Sequence, residues 1–125
     1  MEKDLELRTK RFSLAVIKFT SSLPRSREAD VLTRQLLRSA TSIGANYREA
    51  NRGVSRADFA NKIGTVAKES VETQYWLELL IEAGIAKESA ALLKEASELL
   101  AIFTFNREET ERVSEVVFYF LTSTF

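Results

Sequence analysis

The chain has 125 residues, 45% of them apolar and 29% charged, which suits one domain with a buried core and leaves no material for a second. It contains neither cysteine nor histidine. That excludes disulfides, thiolate chemistry, histidine general bases, the usual zinc shells and the Glu-x-x-His ligands of di-iron bundles. No cofactor or metal is expected. An enzyme ranks last among the function classes, with only carboxylate or lysine chemistry left open.

The zero net charge is unevenly spread: residues 1–68 hold 14 Lys and Arg against 7 Asp and Glu, a surplus of +7, and residues 69–125 hold 4 against 11, a balance of −7. Either basic and acidic helices lie side by side and compensate one another, or a basic face is kept for phosphates. The opening MEKDLELRTKR lacks the apolar stretch of a signal peptide, and no run approaches the roughly 20 apolar residues of a membrane span, so the expected location is cytoplasmic, with no membrane partner.

Four glycines and one proline leave few turns, and hence long helices. The first is predicted over Asp4 to Ser22, with Leu5, Phe12, Ala15, Val16 and Phe19 recurring at helical spacing before Leu23-Pro24 stops it. A second runs from about Arg27 to Arg52, with Leu32, Leu36, Ser39, Ile43 and Ala50 on one stripe and Leu37, Ala40 and Tyr47 beside it; Gly53 is expected to end it. Ser55 followed by Asp58 has the spacing of a helix start. The third helix then carries Phe59, Ile63, Val66, Ser70, Thr73, Leu77 and Leu80 inward, and Gly84 is its natural carboxy-terminal cap. The fourth starts near Lys87 with Leu92, Leu93, Ala96, Leu99, Leu100 and Phe103. Asn106 with Glu109 is either a new helix start leading into Val113, Val116, Val117, Phe120 and Leu121, or an asparagine tolerated within a continuous helix. Short loops make neighbouring helices antiparallel, so the expected fold is a single all-α domain, an antiparallel up-down four-helix bundle over residues 1–125.

Within the second helix the segment SIGANYREAN is thin and polar. Opposite its apolar stripe lies a line of Arg34, Arg38, Thr41, Ala45, Arg48 and Arg52, whose four arginines suit phosphate because the planar guanidinium can make two hydrogen bonds at once. Arg25, Arg27, Arg56 and Lys62 extend the basic set. Between the two faces run Gln35, Ser39, Ser42 and Asn46, with Glu49 beyond. Small groups there let another backbone approach closely, and of the two roles open to Asn46, a ligand contact or a hydrogen bond between helices, the second is the expected one, with Glu49 in an ion pair to a neighbouring helix or chain. The third helix is apolar on a second side: Lys68, Val71, Tyr75 and Leu79 lie opposite the core stripe, with Trp76 to one side, which points to a homo-oligomer interface through Val71, Tyr75, Trp76 and Leu79.

The segment Gln35 to Ile85 resembles the bacterial four-helix-bundle family whose first members were encoded in intervening sequences of 23S ribosomal RNA genes. The motifs that carry the likeness are RSATSIGAN, the REA after it, SRADF and KESVETQYWLELL, with LPRSREADVL before them, and it extends over roughly residues 8 to 105. Tyr47 stands where the family more often has isoleucine, and Ala40 where glycine is frequent. The resemblance implies an antiparallel four-helix bundle assembled into a ring, typically of five subunits. It also implies kinship with the bundle protein of diversity-generating retroelements, which has a basic surface and binds nucleic acid. It supplies no catalytic residues. The expected partners are therefore the chain itself and RNA or DNA, without a small-molecule substrate. The alternative is a structural or protein-interaction module whose arginines pair with Glu69, Glu72, Glu78 or Glu82.

Overall fold

Proline and serine set the first boundaries of the chain. In the computed structural model, which describes residues 3–87 and 89–105, helix α1 (Lys3–Ser21) stops ahead of Pro24, whose ring disfavours helical backbone at Leu23. Ser26 then opens α2 (Arg27–Asn51): its backbone is extended and its Oγ accepts the N–H of Ala29 at 3.0 Å, while Glu28 and Asp30 in the first turn face the positive end of the helix dipole. Ser55 does the same for α3 (Arg56–Glu82), accepting the N–H of Asp58 at 3.1 Å. Helix α4 covers residues 90–105. The two readings of Asn106 and Glu109, and the apolar spacing from Val113 to Leu121, lie outside the described residues.

The two expected glycine stops behave differently. Gly84 takes φ +75°, and the N–H groups of Gly84 and Ile85 turn back to the carbonyls of Ile81 and Leu80 at 3.0 Å each, closing α3 with paired reverse bonds. Gly53 does not adopt the left-handed conformation. Helix α2 has already ended at Asn51, with Arg52 as its cap, and Gly53 merely donates to the carbonyl of Ala50 at 3.2 Å.

Cross-helix contacts fix the topology. Ser13 on α1 donates to the Ala40 carbonyl of α2, Thr73 on α3 donates to Ser39 of α2, Gln74 on α3 donates to Ser97 of α4, and Arg8 on α1 reaches Glu95 of α4. Each helix thus has two neighbours, successive helices run in opposite directions, and α1 and α3 occupy opposite corners of an up-down four-helix bundle. The inner faces match the 3.6-residue spacing: Leu36, Ile43 and Tyr47 from α2, Ile63, Val66, Leu77 and Leu80 from α3, and Leu92, Leu99 and Phe103 from α4 are buried with Leu5, Phe12 and Val16 of α1. Each large apolar side chain so removed from water contributes roughly 1.5–3 kcal/mol. Tyr47 and Phe103 meet across the diagonal, ring centroids 5.2 Å apart.

Two details depart from the periodic reading. Ala15 is exposed, because α1 turns Leu5, Thr9, Phe12, Val16 and Thr20 inward instead. The buried hydroxyls of Thr9 and Thr20 are satisfied by carbonyls one turn back, Leu5 and Val16, so these threonines enter the core without an orphaned donor. Residues 93 and 100 of α4, both leucines, are only half-buried.

The slenderness of SIGANYREAN has its explanation here. A Cβ placed on Gly44 would lie 3.2 Å from Thr9 Oγ1 and 3.4 Å from Thr9 Cβ, so at Gly44 α1 of the same chain approaches α2 more tightly than a side chain ordinarily allows. One turn earlier, Ser39 is buried against Thr73 of α3 at 2.9 Å. The small residues serve packing within one bundle on two sides of α2.

Candidate functional site

The arginine line on α2 is real as geometry: Arg34, Arg38, Arg48 and Arg52 all lie on the exposed side of the helix. Three of the four are engaged within the chain. Arg38 donates through Nη2 to Glu72 at 2.7 Å and through Nη1 to Glu69 at 3.2 Å, both on α3, and its Nε donates to Gln35 at 3.2 Å. The hydrogen bond from Arg38 holds the Glu72 carboxyl below its ordinary range, against the opposing effect of partial burial. Arg52 donates to Glu6 of α1 at 3.1 Å, and Arg48 Nε lies 3.5 Å from the same carboxylate. Hydrogen bonds from Asn51 and then Arg52 lower the pKa of Glu6. Arg34 makes no ion pair among the described residues and acts only at longer range on Asp30.

Of the two readings of the charge asymmetry, compensation between basic and acidic helices holds in part. Arg38 with Glu69 and Glu72, and Arg8 with Glu95 and Glu98, join the basic half to the acidic half across helix boundaries. Arg48 and Arg52 instead find their carboxylate inside the basic half, on α1. Between α1 and α2 this leaves a shallow groove lined by Glu6, Lys10, Thr41, Arg48 and Arg52 over Gly44. Of the additional cations, Arg25 is paired with Asp30 at 2.7 Å and Lys62 with Glu49 at 2.6 Å, whereas Arg27 and Arg56 have no ion pair among the described residues.

The polar flank also resolves. Asn46 donates to the Ser42 carbonyl at 2.8 Å, one turn back on its own helix, rather than to another helix. An amide on a half-buried flank reaches its own i−4 carbonyl more readily than a partner across the gap. Gln35 is likewise spent within α2, on Arg38. Glu49 takes the Lys62 ammonium of α3.

On α3, Val71 and Tyr75 are 54% and 53% exposed, whereas the opposite side of the same helix is fully buried. Leu79 is half-buried. Trp76 lies on the flank shared with Glu69 and Thr73, partly packed on the core and edge-on to Tyr75 at 5.1 Å; its ring N–H has no acceptor among the described residues. The periodic reading missed a second apolar row on α1. Leu7, Leu14 and Ile17 are 47%, 56% and 46% exposed. Their seven- and three-residue spacing was visible in the sequence, but it was outweighed by the stronger inward stripe.

Among the described residues no three carboxylates cluster as a metal shell, and no helix is long and apolar enough to cross a membrane. Comparisons with known proteins agree on the fold. The family model described as 23S rRNA-intervening sequence protein matches residues 3–104. A solved structure of a protein of unknown function from the S23 ribosomal protein family of Bacteroides thetaiotaomicron VPI-5482 is 36% identical and superposes with a TM-score of 0.74, over 82% of this chain and 96% of that one. No curated protein matches. With a bundle of this topology, the matching motifs on α2 and α3 and a family model spanning nearly all of the described helices, the chain belongs to the 23S rRNA-intervening sequence protein family.

Proposed function

We propose that this chain is a non-catalytic interaction module that works by assembling with copies of itself. The observation that carries the reading is the wet apolar side of α3, where Val71 and Tyr75 stand half out of the surface beside Leu79 and Trp76. Covering such side chains is worth roughly 1.5–3 kcal/mol each before ordering costs, enough to drive association when several act together. Five copies is the number implied by the family resemblance, and a cytoplasmic setting stays part of the proposal. The absence of histidine and cysteine from the sequence supports a role without catalysis or cofactor. Sedimentation of the chain at micromolar concentration tests the proposal: a homo-oligomer is expected, and a monomer defeats it.

A second reading, weakly sequence-specific binding of RNA or DNA, is favoured by one observation. Arg38, Arg48 and Arg52 remain about half exposed in spite of their ion pairs, and surface pairs of this kind are worth only about 0–1 kcal/mol, so phosphate can take the place of carboxylate. Arg34 is free of any ion pair among the described residues. An oligonucleotide shift assay decides it: binding at about 50 mM salt that weakens steeply as salt rises is expected, and no binding at that salt removes the reading.

A further inference from the structure

We propose that residues 106–125 dock on the outer face of α1 of their own bundle. This stretch, NREETERVSEVVFYFLTSTF, follows α4 outside the described residues, and the match to the family ends at residue 104. Its first ten positions hold four glutamates against two arginines, whereas its last ten carry no charged side chain, and Val116 to Leu121 are apolar or aromatic without a break. An uncharged run of such residues without proline is prone to pair with other chains unless something covers it. The described bundle leaves a bare surface to match: Leu7, Leu14 and Ile17 on α1 are each about half exposed, with no helix of the bundle over them.

The place where α4 ends brings the stretch to that surface. Arg8 of α1 bonds Glu95 and lies 3.5 Å from Glu98 on α4. The two helices are antiparallel, so residue 105 emerges about 10 Å beyond Arg8, level with the first turn of α1. Phe105 is 64% exposed at this exit. From there Leu14 is about 20 Å along the bundle and Ile17 about 24 Å, and residues 106–121 span about 24 Å as a helix and more when extended, so the apolar run reaches both in either form. Attachment to the same chain gives this encounter a high effective concentration.

Charge selects α1 over α3, the other neighbour of α4. Around the α1 row the exposed ionic side chains are Lys10, Arg11 and Lys18, all without an ion pair among the described residues. Glu6 is the one acid between Leu5 and Ser21, and it is turned toward Asn51 and Arg52 of α2. The face is therefore basic, and Glu108, Glu109, Glu111 and Glu115 outnumber Arg107 and Arg112 in the approaching stretch. On α3 the row of Val71, Tyr75 and Leu79 has exposed Lys68 on the same line and exposed Glu78 and Glu82 beside it, a mixed border that offers an acidic stretch no net attraction.

The sequence has no cysteine, so introduced thiols report without interference. In the full chain, Leu14→Cys is combined with Val117→Cys, Phe118→Cys or Phe120→Cys and oxidised with diamide. The expected result is an intrachain disulfide from at least one pair, at a yield independent of protein concentration and about tenfold above that of Tyr75→Cys combined with the same positions. Preferential linkage to Tyr75→Cys overturns the choice of face. Linkage only between chains, in mixtures of the single variants, assigns the stretch to another copy and overturns the proposal, as does the absence of any link. Proteolysis is an independent readout. Leu14→Asp changes a site already 56% exposed, so the bundle should keep its far-UV circular dichroism, while chymotrypsin cleavage after Phe118, Tyr119 or Phe120 should quicken about tenfold. Tyr75→Asp should leave that cleavage unchanged. Cleavage no faster in Leu14→Asp than in the unaltered chain overturns the docking. A monomer on sedimentation defeats self-association and leaves this inference standing.

Discussion

Gly44→Ala isolates a close approach between α1 and α2. In an isolated helix the change stabilises by about 1 kcal/mol, because alanine loses less backbone freedom than glycine. Here the new methyl carbon meets Thr9 at 3.2 Å from Oγ1, 3.4 Å from Cβ and 3.5 Å from the carbonyl carbon. Thr9 has nowhere to go. It is fully buried, and its hydroxyl is held by the carbonyls of Leu5 at 2.8 Å and Glu6 at 3.1 Å, so α1 itself must retreat by a few tenths of an ångström. Overpacking of this kind costs about 1–3 kcal/mol, which outweighs the propensity gain and leaves a net loss of about 1 kcal/mol. For a chain of this length that lowers Tm by about 3–4 °C. In a Thr9→Ala background the hydroxyl is gone, and the same Gly44→Ala change should stabilise by about 0.5–1 kcal/mol, giving a coupling of about 1.5–2 kcal/mol in the double-mutant cycle. Urea denaturation followed by far-UV circular dichroism, at one fixed protein concentration because association adds to apparent stability, measures all four corners. Stabilisation by about 1 kcal/mol in both backgrounds would refute the claim that α1 and α2 touch too closely at this point for a side chain.

Thr73→Val keeps the volume of the side chain and removes the buried bond to Ser39, whose own hydroxyl still reaches the Leu36 carbonyl; a loss of about 1 kcal/mol is expected in the same denaturation assay. Ser26→Ala deletes the oxygen that receives the Ala29 N–H and should cost about 1 kcal/mol, with Ser26→Asp restoring most of it. Arg8 holds the Glu95 carboxyl below its ordinary range through paired hydrogen bonds at 2.7 and 2.8 Å, against the upward push of burial. With the folded value depressed, the stability this pair contributes is fully present above the ordinary carboxylate range and is lost as pH falls through the lowered folded value. Both side chains are about one-third exposed, so about 1 kcal/mol or less is at stake. Glu95→Gln should therefore lower stability near neutral pH and shrink the drop in stability on acidification, as read from urea midpoints at about pH 7 and about pH 3.

Local chemistry made most of the scaffold legible. A serine ahead of an acidic first turn, a proline after an apolar run and a glycine past the last inward leucine each act within a few residues, and the 3.6-residue recurrence of Leu36, Ile43, Ile63, Leu77 and Leu99 names a core face without reference to any other helix. The outward placement of the α2 arginines followed from the same angular step. What their guanidiniums touch did not follow, because a partner is chosen by which helix lies alongside: Glu6 for Arg52 is 46 positions away and Glu95 for Arg8 is 87. Packing alone decided that Gly44 faces Thr9 of its own chain, that Asn46 bonds along its helix, and that Leu7, Leu14 and Ile17 remain wet while Thr9 and Thr20 go inside. Periodicity reports how strongly a face repels water, whereas the rotation of a helix in the bundle is set by the close approach of its neighbours.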